Sequence, residues 1–527
     1  MSKESLMVNK SLQNFYRFKK YLTPAILLGI ILIIGAGLRF YDLGTESYLS
    51  DEMYTVLEAK QSVYQLVTSG RLDQPPAYYL PLLLWVKIFG SSEASTRSLS
   101  ALVGIGSIFL IYFIGKKLFS NKIGVLSAFI MAISGIQIYY SQTARFYSFF
   151  EFTSLLSFYF FILCIQSNKV VHYFLYGVTS ILMVYSHAFG IFIIAAQNLV
   201  LILQIKYYRK LLTHWIFCQV LILIAIVPYF YPLAFGGDLV GTALSNTAIT
   251  PPPPIIELLV TFSKLIIPFR FDQSWGAMIL YYCATLAFLV IGTYIYAINL
   301  GKRQWKIEAR EMFGNLKVSQ NCNNKFLLVI CWLFCPILLP FIISWVAFPI
   351  YQYRYMIDAA GALYLLIALG MWNIRKVVPL FVSVGALLVL IVPGLHYYYV
   401  ADVKDQWQEV ARYVEEKSKP NDVIVFPNDE DTGNHKGIKY ESFYWYYKGT
   451  IISCNLNLNP KEVDVIIKSL MQCASDHDRF WLISHTFDPA INSRIKSIFL
   501  NPNQTTLHII TEKQFVGLVV YLFELTN

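Results

Sequence analysis

Long apolar stretches recur along the chain at the length that a membrane-crossing helix needs, and this pattern restricts the fold more than any other feature. A spanning helix takes about 17–25 residues. Hydrophobic residues make up 56% of the chain and charged residues only 14%, a composition that excludes an ordinary soluble enzyme. The sequence therefore predicts a polytopic α-helical membrane protein with about eleven spans. These lie near residues 22–38, 98–115, 123–140, 147–166, 171–186, 189–205, 213–235, 276–298, 326–348, 356–372 and 377–395.

The topology depends on one further apolar stretch, residues 78–89, which is short and contains Pro81 and Lys87. Cytoplasmic loops carry an excess of Lys and Arg. If residues 78–89 do not cross, the N-terminus is cytoplasmic and every later cationic loop falls inside, whereas a crossing would place all those loops outside. We therefore predict that residues 73–90 form a juxtamembrane or re-entrant helix on the extracytoplasmic face. The cations concerned are Lys116, Lys117, Lys122, Lys169, Lys206, Arg209, Lys210, Lys302, Arg303, Lys306, Arg310, Lys317, Lys325, Arg375 and Lys376.

This topology collects the polar residues of the membrane region on the extracytoplasmic face, at the ends of the spans. Two of them, Asp51 and Glu52, are adjacent carboxylates, which are costly to desolvate beside a membrane unless they have a partner, a metal or a chemical task. A solvated loop would explain the pair equally well if it stood alone. The other members of the set are Asp73, Gln74, Arg145, His187, Arg270 and Arg354.

A second helix is predicted to lie along the extracytoplasmic surface. Residues 256–271 follow four consecutive prolines and have the amphipathic spacing of an interfacial helix. Lys264 and Arg270 fall on its polar side. We therefore expect outer juxtamembrane helices in addition to the spans.

The composition changes near residue 396, where apolar spans give way to polar sequence. We therefore expect a membrane domain at 1–395 and an extracytoplasmic domain at 396–527. The second domain alternates helix and strand patterns, which predicts a small α/β fold with a mixed or parallel sheet. Its Cys454 and Cys473 are able to pair if the domain faces an oxidising compartment. The net charge of +10 does not indicate a nucleic-acid partner, because the cations lie in short loops between spans.

Several short stretches now form an ordered set: Asp51-Glu52, Asp73-Gln-Pro-Pro-Ala-Tyr-Tyr-Leu, Ser95-Thr-Arg-Ser-Leu-Ser, Gly115-Lys-Lys-Leu-Phe-Ser, Tyr140-Ser-Gln-Thr-Ala-Arg-Phe-Tyr147 and Tyr185-Ser-His-Ala-Phe-Gly190. Over about residues 22–205 their order and spacing resemble GT-C glycosyltransferases of the protein O-mannosyltransferase and aminoarabinose-transferase type, most closely the bacterial family-39-like members. The resemblance implies an inverting enzyme of the plasma or inner membrane. It would move a hexose or pentose from a polyprenyl-phosphate donor to a hydroxyl of a lipid, glycan or protein acceptor on the extracytoplasmic face.

The resemblance also implies roles for individual residues. Asp51 is the expected general base for the acceptor hydroxyl, and Glu52 would orient it, bind the acceptor or help to hold a metal. The leaving group is a lipid phosphate, which requires cations around it. Arg145 is the first candidate, because Arg clamps phosphate through two N–H groups, and Arg354 is the second. The remaining predicted binding residues are Asp73, Gln74, Tyr147, His187, Lys264, Arg270 and Tyr355.

Each binding residue also has a purely structural explanation. An Arg such as Arg354 suits a helix end equally well by extending its side chain to the membrane interface. His187 lies at a break between two helices, where it would serve as a cap. Tyr147 and Tyr355 suit an interfacial aromatic belt as well as a surface that stacks on a sugar.

Two positions depart from the pattern of the family. Thr143 stands where the family often has Glu, and Gln74 stands where a basic residue or His is common. The missing acid weakens the case for a divalent cation, whose ligands would be Asp51 and Glu52, because a hard cation prefers several carboxylate oxygens. Phosphate binding would then depend more heavily on the arginines.

Two alternative functions stay open. A lipid-linked sugar flippase or transporter would carry ionisable residues along the middle of its spans, whereas the charge here collects at one face. A catalytically inactive lipid-sugar-binding member of the same fold is consistent with Thr143 and Gln74. Binding of the lipid without turnover would identify that second alternative.

Overall fold

The chain forms two compact units. The helical unit comprises Met1–Leu43, Gln61–Gly90 and Thr96–Tyr398, and the sheet unit comprises Gly44–Lys60, Ser91–Ser95 and Tyr399–Asn527. Asp51 and Glu52 therefore belong to the sheet unit, although its strands come far later in the sequence. The computed structural model describes residues 24–60, 76–235, 251–266, 320–373, 377–428, 438–457, 463–473, 477–486 and 507–525, with a few positions between 493 and 498.

The helices of the described residues follow the apolar runs closely. Short 3₁₀ turns occupy Arg209–Leu211 and Tyr353–Ala359. In chain order the α-helices are α1 (Pro24–Phe40), α2 (Ser50–Glu58), α3 (Pro76–Phe89), α4 (Glu93–Leu118), α5 (Asn121–Ile133), α6 (Gly135–Ser141), α7 (Tyr147–Ser167), α8 (Val170–Ser186), α9 (Gly190–Leu203), α10 (Ile205–Tyr208), α11 (Leu212–Phe235), α12 (Ile256–Lys264), α13 (Gln320–Val346), α14 (Ala360–Asn373), α15 (Val377–Val400), α16 (Trp407–Lys417), α17 (Ile438–Tyr444) and α18 (Val463–Cys473).

Six helices within the described residues are long and apolar enough to cross a membrane. A seventh candidate is the pair α5 and α6, which is bent by 59° at Ser134. Four shorter apolar helices, α1, α3, α8 and α9, have 10–17 residues. Every predicted run except 276–298 coincides with a described helix or helix pair, and 276–298 lies outside the described residues. The total of eleven spans stays a prediction.

The two predicted juxtamembrane segments each contain a helix. Residues 73–90 include α3, and residues 256–271 include α12. Residues 61–75 and 267–271 lie outside the described residues. The position of both helices relative to a membrane stays a prediction.

A buried arginine fixes the start of the helical unit. Arg39 donates to Oγ of Ser141 at 3.1 Å and to the carbonyls of Gly35, Ala132 and Met131 at 3.2, 3.0 and 3.2 Å. A fully buried cation is tolerated only where its N–H groups meet acceptors of this kind. These bonds join the end of α1 to α5 and α6.

Gln142 extends this connection to the segment that follows α6. Its Nε2 donates to the carbonyls of Leu38, Arg39 and Tyr41 at 3.3, 3.2 and 2.8 Å, which satisfies acceptors at the end of α1. The hydroxyl of Tyr398 donates to Gln142 Oε1 at 2.6 Å. The turn that carries the next residues, 143–146, is thereby held at the end of the helix bundle.

Within its described residues the sheet unit contains a mixed five-stranded sheet, which confirms the α/β prediction. The strands are β1 (Asp422–Asn428), β2 (Ser453–Asn457), β3 (Arg479–His485), β4 (Leu507–Phe515) and β5 (Leu518–Leu525), in the order β2-β1-β3-β5-β4. Strands β2, β1 and β3 are parallel, and β5 pairs antiparallel with β3 and β4. Cys454 and Cys473 form a disulfide that joins β2 to α18.

Helix α2 packs within the sheet unit through one apolar face. Tyr48, Met53 and Val56 are buried there, and Trp445 and Tyr446 pack against them. The N–H of Tyr48 donates to the hydroxyl of Tyr446 at 2.8 Å. The polar face of α2, with Asp51 in its first turn, is thereby turned away from this core.

Candidate active site

The helical unit brings five of the predicted site residues together. Arg145 lies in the turn between α6 and α7, and Tyr147 begins α7. His187 lies between α8 and α9, while Arg354 and Tyr355 lie in the 3₁₀ turn before α14. The rings of Tyr147 and Tyr355 stack with centroids 6.3 Å apart, and the ring of Tyr355 is 4.7 Å from that of His187.

His187 is surrounded by aromatic rings. Besides Tyr355, its ring lies 5.1 Å from Phe146, 5.1 Å from Phe150 and 5.0 Å from Phe189. Burial among these rings, together with the cations of Arg145 and Arg354, lowers the pKa of His187 to about 3. The imidazole is therefore neutral at physiological pH.

The tautomer of His187 follows from one further contact. The backbone N–H of Phe189 donates to Nδ1 of His187 at 3.2 Å. Because Nδ1 is then the acceptor, the proton of the neutral ring lies on Nε2. His187 thus lies at a break between two helices, which agrees with a structural role. It also presents one neutral N–H donor near Arg145 and Arg354.

The cations of this cluster rest on aromatic surfaces. Cζ of Arg145 lies 5.0 Å from the ring of Phe146, and Cζ of Arg354 lies 5.3 Å from that of Tyr355. Nε of Arg354 also donates to Oε1 of Gln352 at 2.7 Å. Nζ of Lys264 lies 3.5 Å from the ring of Tyr353, in the same 3₁₀ turn as Arg354. Three cations on neighbouring aromatic residues, beside a neutral N–H donor, form a surface suited to an anion.

The two predicted catalytic carboxylates have different surroundings in the sheet unit. Asp51 is exposed in the first turn of α2. Glu52 is fully buried, where Oε2 accepts the N–H of Leu49 at 3.0 Å and lies 3.6 Å from Nζ of Lys404. Of the two, only Asp51, the predicted general base, is exposed to solvent, whereas Glu52 is enclosed.

The surroundings of Asp51 contain residues that the sequence did not suggest. Asp405 and His485 lie beside it, with His485 Nδ1 3.9 Å from Asp405 Oδ2. Burial, together with the charges of Asp51 and Glu52, raises the pKa of Asp405 to about 7. The one sequence feature that could have indicated them is that His485 lies at the end of β3 and Asp405 lies just before α16.

The donor set does not fit a divalent cation well. Within the described ranges no group of three or more His, Cys, Asp or Glu side chains is placed to hold a metal. Glu52, one of the two proposed ligands, pairs with Lys404 instead. Thr143, which replaces the acid of the family pattern, donates to the carbonyl of Tyr139 at 2.7 Å.

Three predicted site residues lie outside the described residues. They are Asp73, Gln74 and Arg270. Their proposed contacts with the lipid phosphate stay predictions.

Comparisons with known proteins identify the fold. The profile of the family described as dolichyl-phosphate-mannose-protein mannosyltransferase matches residues 73–231. The structure of ArnT from Cupriavidus metallidurans bound to undecaprenyl phosphate superposes with a TM-score of 0.54 at 10% identity, covering 94% of this chain and 97% of that one. The chain thus shares the fold of ArnT, and residues 73–231 match a mannosyltransferase family. No curated protein sequence matches this chain significantly.

Two further structures share this fold. ArnT from the same organism in the apo state has a TM-score of 0.51 at 11% identity, with coverage of 94% and 97%. The apo oligosaccharyltransferase of Archaeoglobus fulgidus has a TM-score of 0.50 at 13% identity, with 89% of this chain and 70% of that chain covered. The apolar helices and this likeness together identify an integral membrane protein, and the family match supports a transferase.

Proposed function

We propose that this chain is a GT-C glycosyltransferase that transfers a sugar from a polyprenyl-phosphate donor to an acceptor hydroxyl on the extracytoplasmic face, with inversion at the anomeric carbon. The observation that carries the proposal is the grouping of Arg145 and Arg354 around neutral His187, beside the paired rings of Tyr147 and Tyr355. The structure of ArnT bound to undecaprenyl phosphate has the same fold. A lipid phosphate is therefore the ligand that best suits this cluster.

The donor half of the reaction is assigned to the helical unit. Arg145 and Arg354 bind the phosphate through charge-assisted hydrogen bonds, which strengthen as negative charge develops on the leaving oxygen. Neutral His187 donates its Nε2–H without adding a titrating charge. Tyr147 and Tyr355 offer flat surfaces on which the sugar ring stacks.

The acceptor half is assigned to Asp51. The acceptor oxygen attacks the anomeric carbon from the side opposite the phosphate, and the bond from that carbon to the phosphate oxygen breaks. The bonding pair leaves with the phosphate, while the hydroxyl proton moves to the Asp51 carboxylate. The configuration inverts because a single displacement occurs.

The sidedness has two supports. The Cys454–Cys473 disulfide of the sheet unit favours an oxidising compartment, since cytosolic thiols are kept reduced. The distribution of Lys and Arg among the loops supports the same side for this part of the chain. Asp51 shares the sheet unit with the disulfide, so both fall on the extracytoplasmic side in this proposal.

The test is transfer of labelled sugar from a polyprenyl-phosphate donor by the full chain in reconstituted membranes. We expect Asp51→Asn to lower kcat by about 10²–10⁴-fold, the usual contribution of a general base. Arg145→Ala should lower kcat by about 10²–10³-fold, the usual loss for one stabilising donor.

Two matched variants control for charge removal alone. Asp42→Asn and Arg209→Ala each remove an exposed charge of the same kind, and both should leave transfer within twofold of the native chain. Undiminished transfer in Asp51→Asn and Arg145→Ala together would reject the assigned mechanism. Lipid binding without any turnover by the native chain would favour the inactive lipid-sugar-binding alternative.

A further inference from the structure

The segment that leads into α2 is bonded residue by residue to the start of the C-terminal sequence. The carboxylate of Glu46 accepts the N–H groups of Val403 and Lys404 at 2.7 and 3.2 Å. Oγ of Ser47 accepts the N–H of Gln408 at 3.0 Å. These bonds fix the backbone immediately before the first turn of α2, where Asp51 lies.

The residues on either side of Asp51 are each held by a side chain of that same C-terminal sequence. Glu52 pairs with Lys404 at 3.6 Å, and both side chains are almost completely buried. Oγ of Ser50 lies 3.4 Å from Nε2 of His485, and Nδ1 of His485 lies 3.9 Å from Oδ2 of Asp405. Asp51 is thus exposed between two anchored neighbours.

His485 links Ser50 to Asp405 through the two nitrogens of its ring. Oγ of Ser50 and Nε2 of His485 lie within hydrogen-bond distance, whereas the 3.9 Å from Nδ1 of His485 to Oδ2 of Asp405 is a charge contact longer than a hydrogen bond. His485 thus connects the first residue of α2 to Asp405.

This arrangement is costly for folding, which argues against a merely structural purpose. Asp405 is largely buried close to two other acids, and such groups destabilise a fold unless they are fully compensated. The hairpin turn also has to accommodate it, because a Cβ on Gly517 would overlap Oδ1 of Asp405. Features that weaken a fold are found where function requires them.

We propose that His485 and Asp405 are positioning residues for Asp51, which they hold from one side while the Glu52–Lys404 pair holds it from the other. The inference rests on the proposed function, since it takes Asp51 as the general base. A base must come within about 2.6–3.2 Å of the proton it removes, and a displacement of about 1 Å costs on the order of 10²-fold in rate. The first turn of a helix frays readily, so its fixation has a direct effect on catalysis.

The test uses the full chain in reconstituted membranes, with kcat and the KM for a labelled polyprenyl-phosphate sugar measured separately. We expect His485→Ala and Asp405→Ala to lower kcat by about 10–100-fold and to leave the donor KM within twofold. His485→Gln should recover part of the loss, because its amide reaches the position of Nε2. Gln406→Ala is the matched control, since Gln406 adjoins Asp405 but bonds to Asp402 and Val516.

Combination with Asp51→Asn separates positioning from general damage. Residues that act only through Asp51 cost nothing further once its carboxylate is gone, so His485→Ala should leave the residual transfer of Asp51→Asn unchanged. An additional loss of 10-fold or more in that background would overturn the inference, as would a kcat within twofold of the native value in both single variants. Transfer that does not depend on Asp51 would instead reject the proposed function, and the inference with it.

Discussion

Replacement of Asp405 by Asn should stabilise the sheet unit in a pH-dependent manner. The Asp405 side chain is 9% exposed and faces the carboxylates of Asp51 and Glu52, with the ammonium of Lys404 and the ring of His485 as further neighbours. Burial and the two acidic neighbours raise its pKa from an ordinary value of 3.8 to about 7. Ionisation of Asp405 is therefore unfavourable in the folded protein and ordinary in the unfolded chain.

The sign and size of the effect follow from this difference. When folding raises the pKa of a carboxyl, the protonated group favours the folded protein fully below about pH 3.8. This contribution to the free energy of unfolding is lost as the pH rises through 7. The difference between the pKa of Asp405 in the folded and in the unfolded chain corresponds to about 4 kcal/mol at most, since a tenfold change in proton affinity equals about 1.4 kcal/mol. Asn has the same shape and no charge. Asp405→Asn should match the native chain near pH 4, gain steadily to pH 7, and stay about 2–4 kcal/mol more stable above it.

Hydrogen exchange measured by mass spectrometry on the full chain in detergent would detect this gain. Peptides from β3 and α16 report the free energy of opening of the sheet unit, with variant and native chain compared at each pH from 4 to 8.5. Asp402→Asn, which removes an exposed carboxyl nearby, is the control and should show no such trend. A variant that is less stable than the native chain at pH 8, or whose difference does not change with pH, would refute the reasoning.

Four further predictions test the fold and the topology. Arg39→Lys should lower the free energy of unfolding by about 3 kcal/mol, because an ammonium cannot reach the four acceptors of the guanidinium. Thermal unfolding in detergent measures this loss, and an unchanged midpoint would contradict the prediction. Cys454→Ser should lower the free energy of unfolding of the sheet unit in urea by about 3 kcal/mol, as expected for a disulfide that closes a loop of 19 residues. The control is the native chain under reducing conditions, which should lose the same amount of stability. Gly517→Ala should cost about 2 kcal/mol, because its φ is +75° and the methyl group would displace Asp405; hydrogen exchange in β4 and β5 equal to the native chain would count against this. A membrane-impermeant thiol reagent applied from outside should label Ser92→Cys and not Asn121→Cys, and the reverse pattern would show that the proposed sidedness is wrong.

The helical framework could be predicted because the length and composition of a span are local properties. The break at residues 186–190 is an example, since a polar His followed by Gly interrupts an apolar run too long for one helix. The structure ends α8 at Ser186 and begins α9 at Gly190, which confirms this interpretation. The total number of spans could not be settled in the same way, because several helices are shorter than a full crossing.

The sequence predicted the α/β type of the sheet unit but not all of its strands. Strands β1 and β3 are buried apolar runs, which are readily recognised. The hairpin of β4 and β5 was missed. Leu507–Phe515 is mostly exposed and shows no alternation of apolar and polar residues, although β5 is a buried apolar run like β1 and β3. Its turn signal is Gly517, a single glycine with positive φ.

The partners of Asp51 and Glu52, the predicted catalytic carboxylates, could not be predicted from the sequence. Lys404 and His485 meet the segment around Asp51 only because Gly44–Lys60 folds with the C-terminal sequence, and no local pattern reveals such a distant pairing. The grouping of Arg145, His187 and Arg354 was predicted from topology alone, because residues at the same end of several spans share one level of the bundle. Their roles in binding a lipid phosphate stay a proposal.

The central claim is that Arg145 binds the donor phosphate while Asp51 acts on the acceptor, and a single-turnover experiment separates the two. A labelled polyprenyl-phosphate sugar would be titrated onto the reconstituted full chain, with donor Kd and the rate of polyprenyl-phosphate release measured on the same samples. We expect Asp51→Asn to keep the native Kd and lose at least 10²-fold in release rate, and Arg145→Ala to raise Kd by 10-fold or more. A native release rate in Asp51→Asn, or a native Kd and rate in Arg145→Ala, would contradict the claim.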